Sequence, residues 1–309
     1  MHFNIVINQI LVLFLIIFIG YIIRKKGLIN EEINKGLSNI LIDLTLPALI
    51  ISSIAAIELK TEIINNVKTI ALISIISYLI VIIFTNIFLK GFNLPRKKKT
   101  VFNYLLVFGN VGYMGYPVIG AIYPQYGIFY AIFYNIFFNI LIFTYGIYIF
   151  TTDQGTGQIK LKKFLNNGII AIIIGFIFFI TGLKIPGIIN GALESLGEMT
   201  FPLSMLIIGS SLTNVKFATI FKDRYLYLLA FLKLIILPLA GLLIIRQFNL
   251  PTIISNISIM LLAMPSAANG VIFAERYDGD YNFASEGVFF TTLLSLVTIP
   301  LFIWIINII

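Results

Sequence analysis

Apolar stretches long enough to cross a bilayer follow one another along almost the whole chain, and no other feature constrains the fold as tightly. About 20 mostly apolar residues span the hydrocarbon core as a helix. Ten segments meet that length, at roughly 5–23, 36–57, 68–90, 101–123, 127–150, 165–183, 192–213, 225–245, 253–276 and 284–308. Backbone N–H and C=O groups must be satisfied internally in lipid, so such segments are helices. Only 11% of the 309 residues are charged, against about a quarter in soluble domains. The predicted class is an all-α integral membrane protein with ten transmembrane helices and no soluble domain.

The charges report orientation. Cytoplasmic connections collect Lys and Arg. With the N-terminus outside, Arg24, Lys25, Lys26, the 96–99 run and the other cations of the inside connections number 16, while Lys60, Lys68, Lys184 and Arg246 are the 4 outside. Both termini are therefore expected outside a cell membrane, and the net charge of +8 reads as topology rather than nucleic-acid binding. The first segment lacks the basic start and small-residue cleavage site of a signal peptide, so it reads as a retained helix.

The two halves resemble each other. Phe92-Asn93-Leu94-Pro95 matches Phe248-Asn249-Leu250-Pro251, and Asp43-x-Thr45-x-Pro47 matches Glu198-x-Thr200-x-Pro202. Pro117 pairs with Pro265 and Phe137-Phe138 with Phe289-Phe290, so the offsets are 156, 155, 148 and 152 residues. Residues 1–150 and 164–309 are then two five-helix repeats joined by a linker at 151–163. Five is odd, so the second copy enters from the opposite face, an inverted repeat of the kind found in secondary transporters.

Two repeat-equivalent segments are broken. Segment four carries Gly109-Asn110-Val111-Gly112-Tyr113-Met114-Gly115-Tyr116-Pro117, and segment nine carries Met264-Pro265-Ser266-Ala267-Ala268-Asn269-Gly270. Glycine relaxes the backbone and proline removes a donor. Within a membrane, such a break is tolerated where it faces protein or water. Pro117 and Pro265 suit the first position of each second half-helix. The N–H groups and positive dipole ends of those half-helices would then converge on one anion-favouring spot. Asn110, Gly112, Tyr113, Gly115, Pro117, Pro265, Ser266 and Asn269 are the candidate substrate-binding residues, with backbone dipoles and Asn110 ranked above any charged side chain. Asp43, Glu198 and Lys233 are ionisable groups inside apolar segments, and such groups usually face protein or water. The two acids serve as a coupling site or polarise the helix ends near Pro47 and Pro202. Lys233 neutralises a substrate carboxylate, pairs with an acid or snorkels outward.

Several chemistries are excluded. The chain has no cysteine, and its single histidine is His2, which removes thiolate, histidine-metal and Ser-His chemistry from the membrane. No P-loop signature is present, so the chain encodes no ATP-driven pump. An enzyme is not expected, and neither is a cofactor beyond a coupling H⁺ or Na⁺.

The two breaks, together with Ala274-Glu275-Arg276-Tyr277-Asp278-Gly279-Asp280, resemble the auxin efflux carrier family, in particular its short bacterial and archaeal members described as malate or malonate permeases. The resemblance implies a fold similar to the bile-acid sodium symporters. Segments 1, 2, 6 and 7 would form a scaffold, and 3–5 and 8–10 a transport domain. Segments four and nine would cross at their breaks, and the protein would form a homodimer. It carries Asn110 and Pro117 onto the first crossover motif, and Pro265 and Asn269 onto the second. The long hydrophilic loop of many plant carriers is missing, so auxin is not implied as substrate. The expected function is alternating-access transport of a small organic anion. A channel or a non-transporting receptor of the same architecture is the alternative.

Overall fold

In a computed structural model, residues 3–151, 167–214 and 223–308 are described. The linker at 151–163 therefore lies outside the described residues from position 152 onward. The described chain is helical, and its one extended pairing is an isolated antiparallel bridge between Gly109 and Ser266.

The helices are α1 (Phe3–Lys25), α2 (Glu31–Ala55), α3 (Thr61–Gly91), α4 (Arg96–Val107), α5 (Val111–Ile122), α6 (Gly127–Thr151), α7 (Asn167–Thr181), α8 (Gly187–Glu198), α9 (Thr200–Ser211), α10 (Arg224–Ile245), α11 (Thr252–Leu262), α12 (Asn269–Arg276) and α13 (Tyr281–Ile308). Among the described residues, α2, α3, α6, α10 and α13 are long and apolar enough to cross a membrane. α5, α7 and α11 are shorter apolar helices. The fourth and ninth apolar segments are each split in two, as α4–α5 and α11–α12.

Among the described residues, wide π turns interrupt α2, α6 and α10 at Leu41–Thr45, Ile142–Gly146 and Leu232–Ile236, and a fourth opens α5 at Val111–Gly115. Three of them are followed at once by a residue–proline pair: Leu46-Pro47, Tyr116-Pro117 and Leu237-Pro238. A proline inside a helix lacks the N–H for its i−4 partner and clashes with that carbonyl. The widened turn just before it relieves both problems, and such turns frequently mark functional positions. Asp43, Tyr113 and Lys233 all sit in these turns.

The chain divides into two compact units. The first is drawn from Met1–Thr69, Gly112–Ile136 and Leu161–Thr213. Its α1 packs along α9, and the C-terminal half of α2 packs on α7 and α8. Small residues let these backbones approach. A Cβ on Gly20 would lie 2.5 Å from the Leu206 carbonyl oxygen, and one on Gly209 would collide with the Ile17 carbonyl oxygen. Leu41, Leu203 and Ile207 form a buried cluster, against which Leu37 and Tyr113 pack.

The second unit is drawn from Ile70–Val111, Phe137–Lys160 and Asn214–Ile309. Here α13 packs on α4, α10 and α12. Leu105 of α4 is fully buried, and its side chain fills the space that a Cβ on Gly270 or Gly287 would take, 2.6 Å away in each case. Tyr104 and Phe108 continue this face as an aromatic layer with Phe138, Phe150 and Phe273. At one end Lys98 pairs with Asp223, which also caps α10 through the Tyr225 amide, and Lys97 pairs with Asp278 at 2.6 Å.

Candidate functional site

The non-helical residues of the two breaks, 108–110 and 263–268, both lie within the second unit and run against each other. α4 ends at Val107, Phe108 turns extended, and Gly109 and Asn110 continue outside helix. Between α11 and α12 the stretch 263–268 is likewise non-helical. The Asn110 amide donates to the Pro265 carbonyl at 2.7 Å, and the Ala267 amide donates to the Phe108 carbonyl at 2.9 Å. These two bonds frame the Gly109–Ser266 bridge.

The bridge leaves the end of α4 with carbonyls that its own amides do not reach, the ordinary condition of a helix C-terminus. The second break and α10 supply the missing donors. Ser266 Oγ donates to the Leu105 carbonyl at 2.9 Å, and Lys233 Nζ donates to the Leu106 carbonyl at 3.0 Å. The Ser266 amide is held in turn by Thr291 Oγ1 of α13 at 3.2 Å. A cation at a helix C-terminus is also favoured by the dipole.

Two side chains at this crossing are not fully committed. Lys233 is 3% exposed, and an ammonium carries three donors. Its only hydrogen bond goes to Leu106, and it has no ion-pair partner among the described residues. A Cβ on Gly109 would stand 3.4 Å from Lys233 Nζ, which places the ammonium against the first break, one residue from Asn110. Asn110 is 4% exposed, and its side-chain amide has no hydrogen-bond partner among the described residues. Together these groups can donate to an anion. Among the described residues, no three His, Cys, Asp or Glu side chains come close enough to hold a metal ion.

The other expected residues fall differently. Asn110, Pro265, Ser266, Asn269 and Lys233 belong to the second unit, whereas Gly112, Tyr113, Gly115 and Pro117 belong to the first. Pro265 is not at the first position of a half-helix: α12 begins at Asn269, four residues later, and the Pro265 carbonyl accepts from the Asn110 amide. Pro117 does stand in the first turn of the α-helical stretch Tyr116–Ile122, but the π turn Val111–Gly115 runs directly into that stretch, so the helical path of α5 begins before it. The Ser266 and Ala267 amides, the first two after Pro265, are already occupied by Thr291 and Phe108. Asn269 Oδ1 accepts from Tyr104 OH at 3.4 Å.

In the first unit, Tyr113 is packed against the Leu41 cluster, and Tyr116 accepts from Asn135 Nδ2 at 2.8 Å. Asp43 is exposed and accepts from Asn167 Nδ2 at 2.8 Å, while Glu198 is exposed at the end of α8. Thr291 was not anticipated. Its only sequence signal is a hydroxyl on an apolar helix, which by itself more often bonds back to its own helix.

Long apolar helices with polar groups gathered at a helix break define a multi-pass membrane protein built around an internal polar site. The membrane transport protein family matches residues 5–303, and the chain belongs to that family. It is similar to an uncharacterized transporter of Methanocaldococcus jannaschii, 26% identical over 306 residues, covering 96% of this chain and 98% of the relative. It is also similar to an uncharacterized transporter of Methanothermobacter thermautotrophicus, 26% identical over 297 residues, covering 95% and 96%.

Proposed function

We propose that the protein is a secondary transporter that moves a small organic anion, a mono- or dicarboxylate, by alternating access, and that the crossing of the two breaks holds the anion. The observation that carries this reading is the pairing of Gly109–Asn110 with Pro265–Ser266 beside a buried lysine and a buried asparagine with donors to spare. Helix interruptions lining a cavity at the membrane midplane are the usual substrate site of inverted-repeat carriers. The ten-helix inverted repeat draws support from matched interruptions: the α4–α5 break against the α11–α12 break, and the π turn at Leu41–Thr45 against the α8–α9 junction at Met199.

The reading is tested by thermal unfolding of purified protein with acetate, lactate, malonate and malate, each with and without sodium. A ligand that binds only the folded state at 100 times its Kd stabilises it by about 2.7 kcal/mol. At least one carboxylate is expected to raise the midpoint in a saturable manner. No shift with any of them contradicts the proposal.

A further inference from the structure

We infer that Lys233 is the fixed countercharge for one negative charge on the substrate, and that this makes the protein an obligatory exchanger of organic anions rather than a uniporter. The inference rests on the proposed anion site and deepens it. Lys233 lies in the π turn Leu232–Ile236 of an apolar helix and is almost fully buried. Its ammonium meets the carbonyl of Leu106 and the backbone of Gly109, and no carboxylate pairs with it among the described residues. A carbonyl offers a partial charge where a full one is needed. Buried cations are ordinarily paired, and an uncompensated charge in a low-dielectric interior is strongly disfavoured.

The consequence for transport follows from charge bookkeeping. With a monoanion bound, Lys233 and substrate sum to zero, and the site can pass through the membrane interior as a neutral pair. Without substrate, the same passage carries a bare ammonium. The loaded form therefore reorients readily and the empty form does not. A carrier of this kind returns only after binding a second anion on the far side, so that one anion moves in for each that moves out. The species moved carries a single negative charge: a monocarboxylate, or a dicarboxylate in its singly protonated form. The cap that Lys233 gives to α4 uses one of its three donors, and the carbonyl and helix dipole it meets supply only partial negative charge.

The test is counterflow in proteoliposomes holding the full chain. Labelled acetate, lactate, malonate and malate are offered outside, with the same unlabelled anion inside or with none, at equal pH and under an inward proton gradient. Uptake at least ten-fold faster into preloaded vesicles, and unchanged by a valinomycin-set potential, is the expected result. Equal uptake into empty and preloaded vesicles, or proton-driven uptake into empty ones, overturns the exchange mechanism while leaving the anion site standing. No uptake under any condition, with no binding in the thermal assay, overturns both. Lys233→Gln keeps a donor for Leu106 and removes the charge. It is expected to fold, to bind the same carboxylate at least ten-fold more weakly and to lose acceleration by internal anion. Wild-type affinity in that variant would reduce Lys233 to a helix cap and refute the inference.

Discussion

Ser266→Ala isolates what holds the two breaks together. Ser266 is fully buried, and its hydroxyl is the donor to the Leu105 carbonyl, which no amide of α4 reaches. Removing the hydroxyl forfeits a neutral hydrogen bond, a net loss of about 1 kcal/mol, and strands a buried carbonyl at a cost of about 1–3 kcal/mol. Water cannot repair the loss without opening the packing around Leu105, which is itself fully buried. The paired segment should therefore open locally with a free energy lowered by about 2 kcal/mol. Because each 1.4 kcal/mol is a factor of ten, this is about a 30-fold gain in open population. Amide hydrogen exchange reads local opening directly. The Asn110 and Ala267 amides, which bridge the breaks, should exchange about 30-fold faster in the variant, while amides in the middle of α1 keep their wild-type rates. Unchanged exchange at Asn110 and Ala267 would show that Ser266 does not hold the crossing and would refute the account of how α4 ends.

Two further substitutions probe the scaffolding. Gly209→Ala sets a methyl against the Ile17 carbonyl at the α1–α9 contact, where backbone cannot yield. It should cost about 1–3 kcal/mol in detergent unfolding, whereas Gly36→Ala, with open space around it, should be neutral within error. Asp223→Ala removes both the partner of half-buried Lys98 and the cap of α10. It should lower stability by about 1–2 kcal/mol, clearly more than Lys97→Ala at the exposed Lys97–Asp278 pair, worth about 0–1 kcal/mol.

What could be read from the sequence was local. Glycine and proline at 109–117 and 264–270 marked both interruptions, and hydropathy marked the apolar helices, although α3 begins at Thr61 rather than 68 and the expected segment 192–213 is divided between α8 and α9. The arrangement at the crossing depended on partners about 150 residues away. Pro265 looked like the start of a half-helix because proline favours that position. It lies outside helix instead, its carbonyl bonded by the Asn110 amide, and nothing near Pro265 in the sequence carries that information. Lys233 could be placed in an apolar helix but not aimed, since its direction depends on where α4 stops. Tyr113 lay inside a glycine-rich break and read as a site residue, yet its ring packs on Leu41, Leu203 and Ile207. Proline follows three of the four π turns among the described residues, but Pro300 sits inside α13 without one, so proline alone does not mark them.

The central claim is that the crossing binds the anion through Asn110 and Lys233. Equilibrium binding of the carboxylate that gives the largest thermal shift, compared between wild type and Asn110→Ala, tests it most directly, with Asn282→Ala as an exposed control on the same unit. A hydrogen bond to a charged group is worth about 1.5–3 kcal/mol, so Asn110→Ala should weaken binding at least ten-fold and Asn282→Ala should leave it unchanged. Equal affinity in all three proteins would place the anion elsewhere and contradict the account.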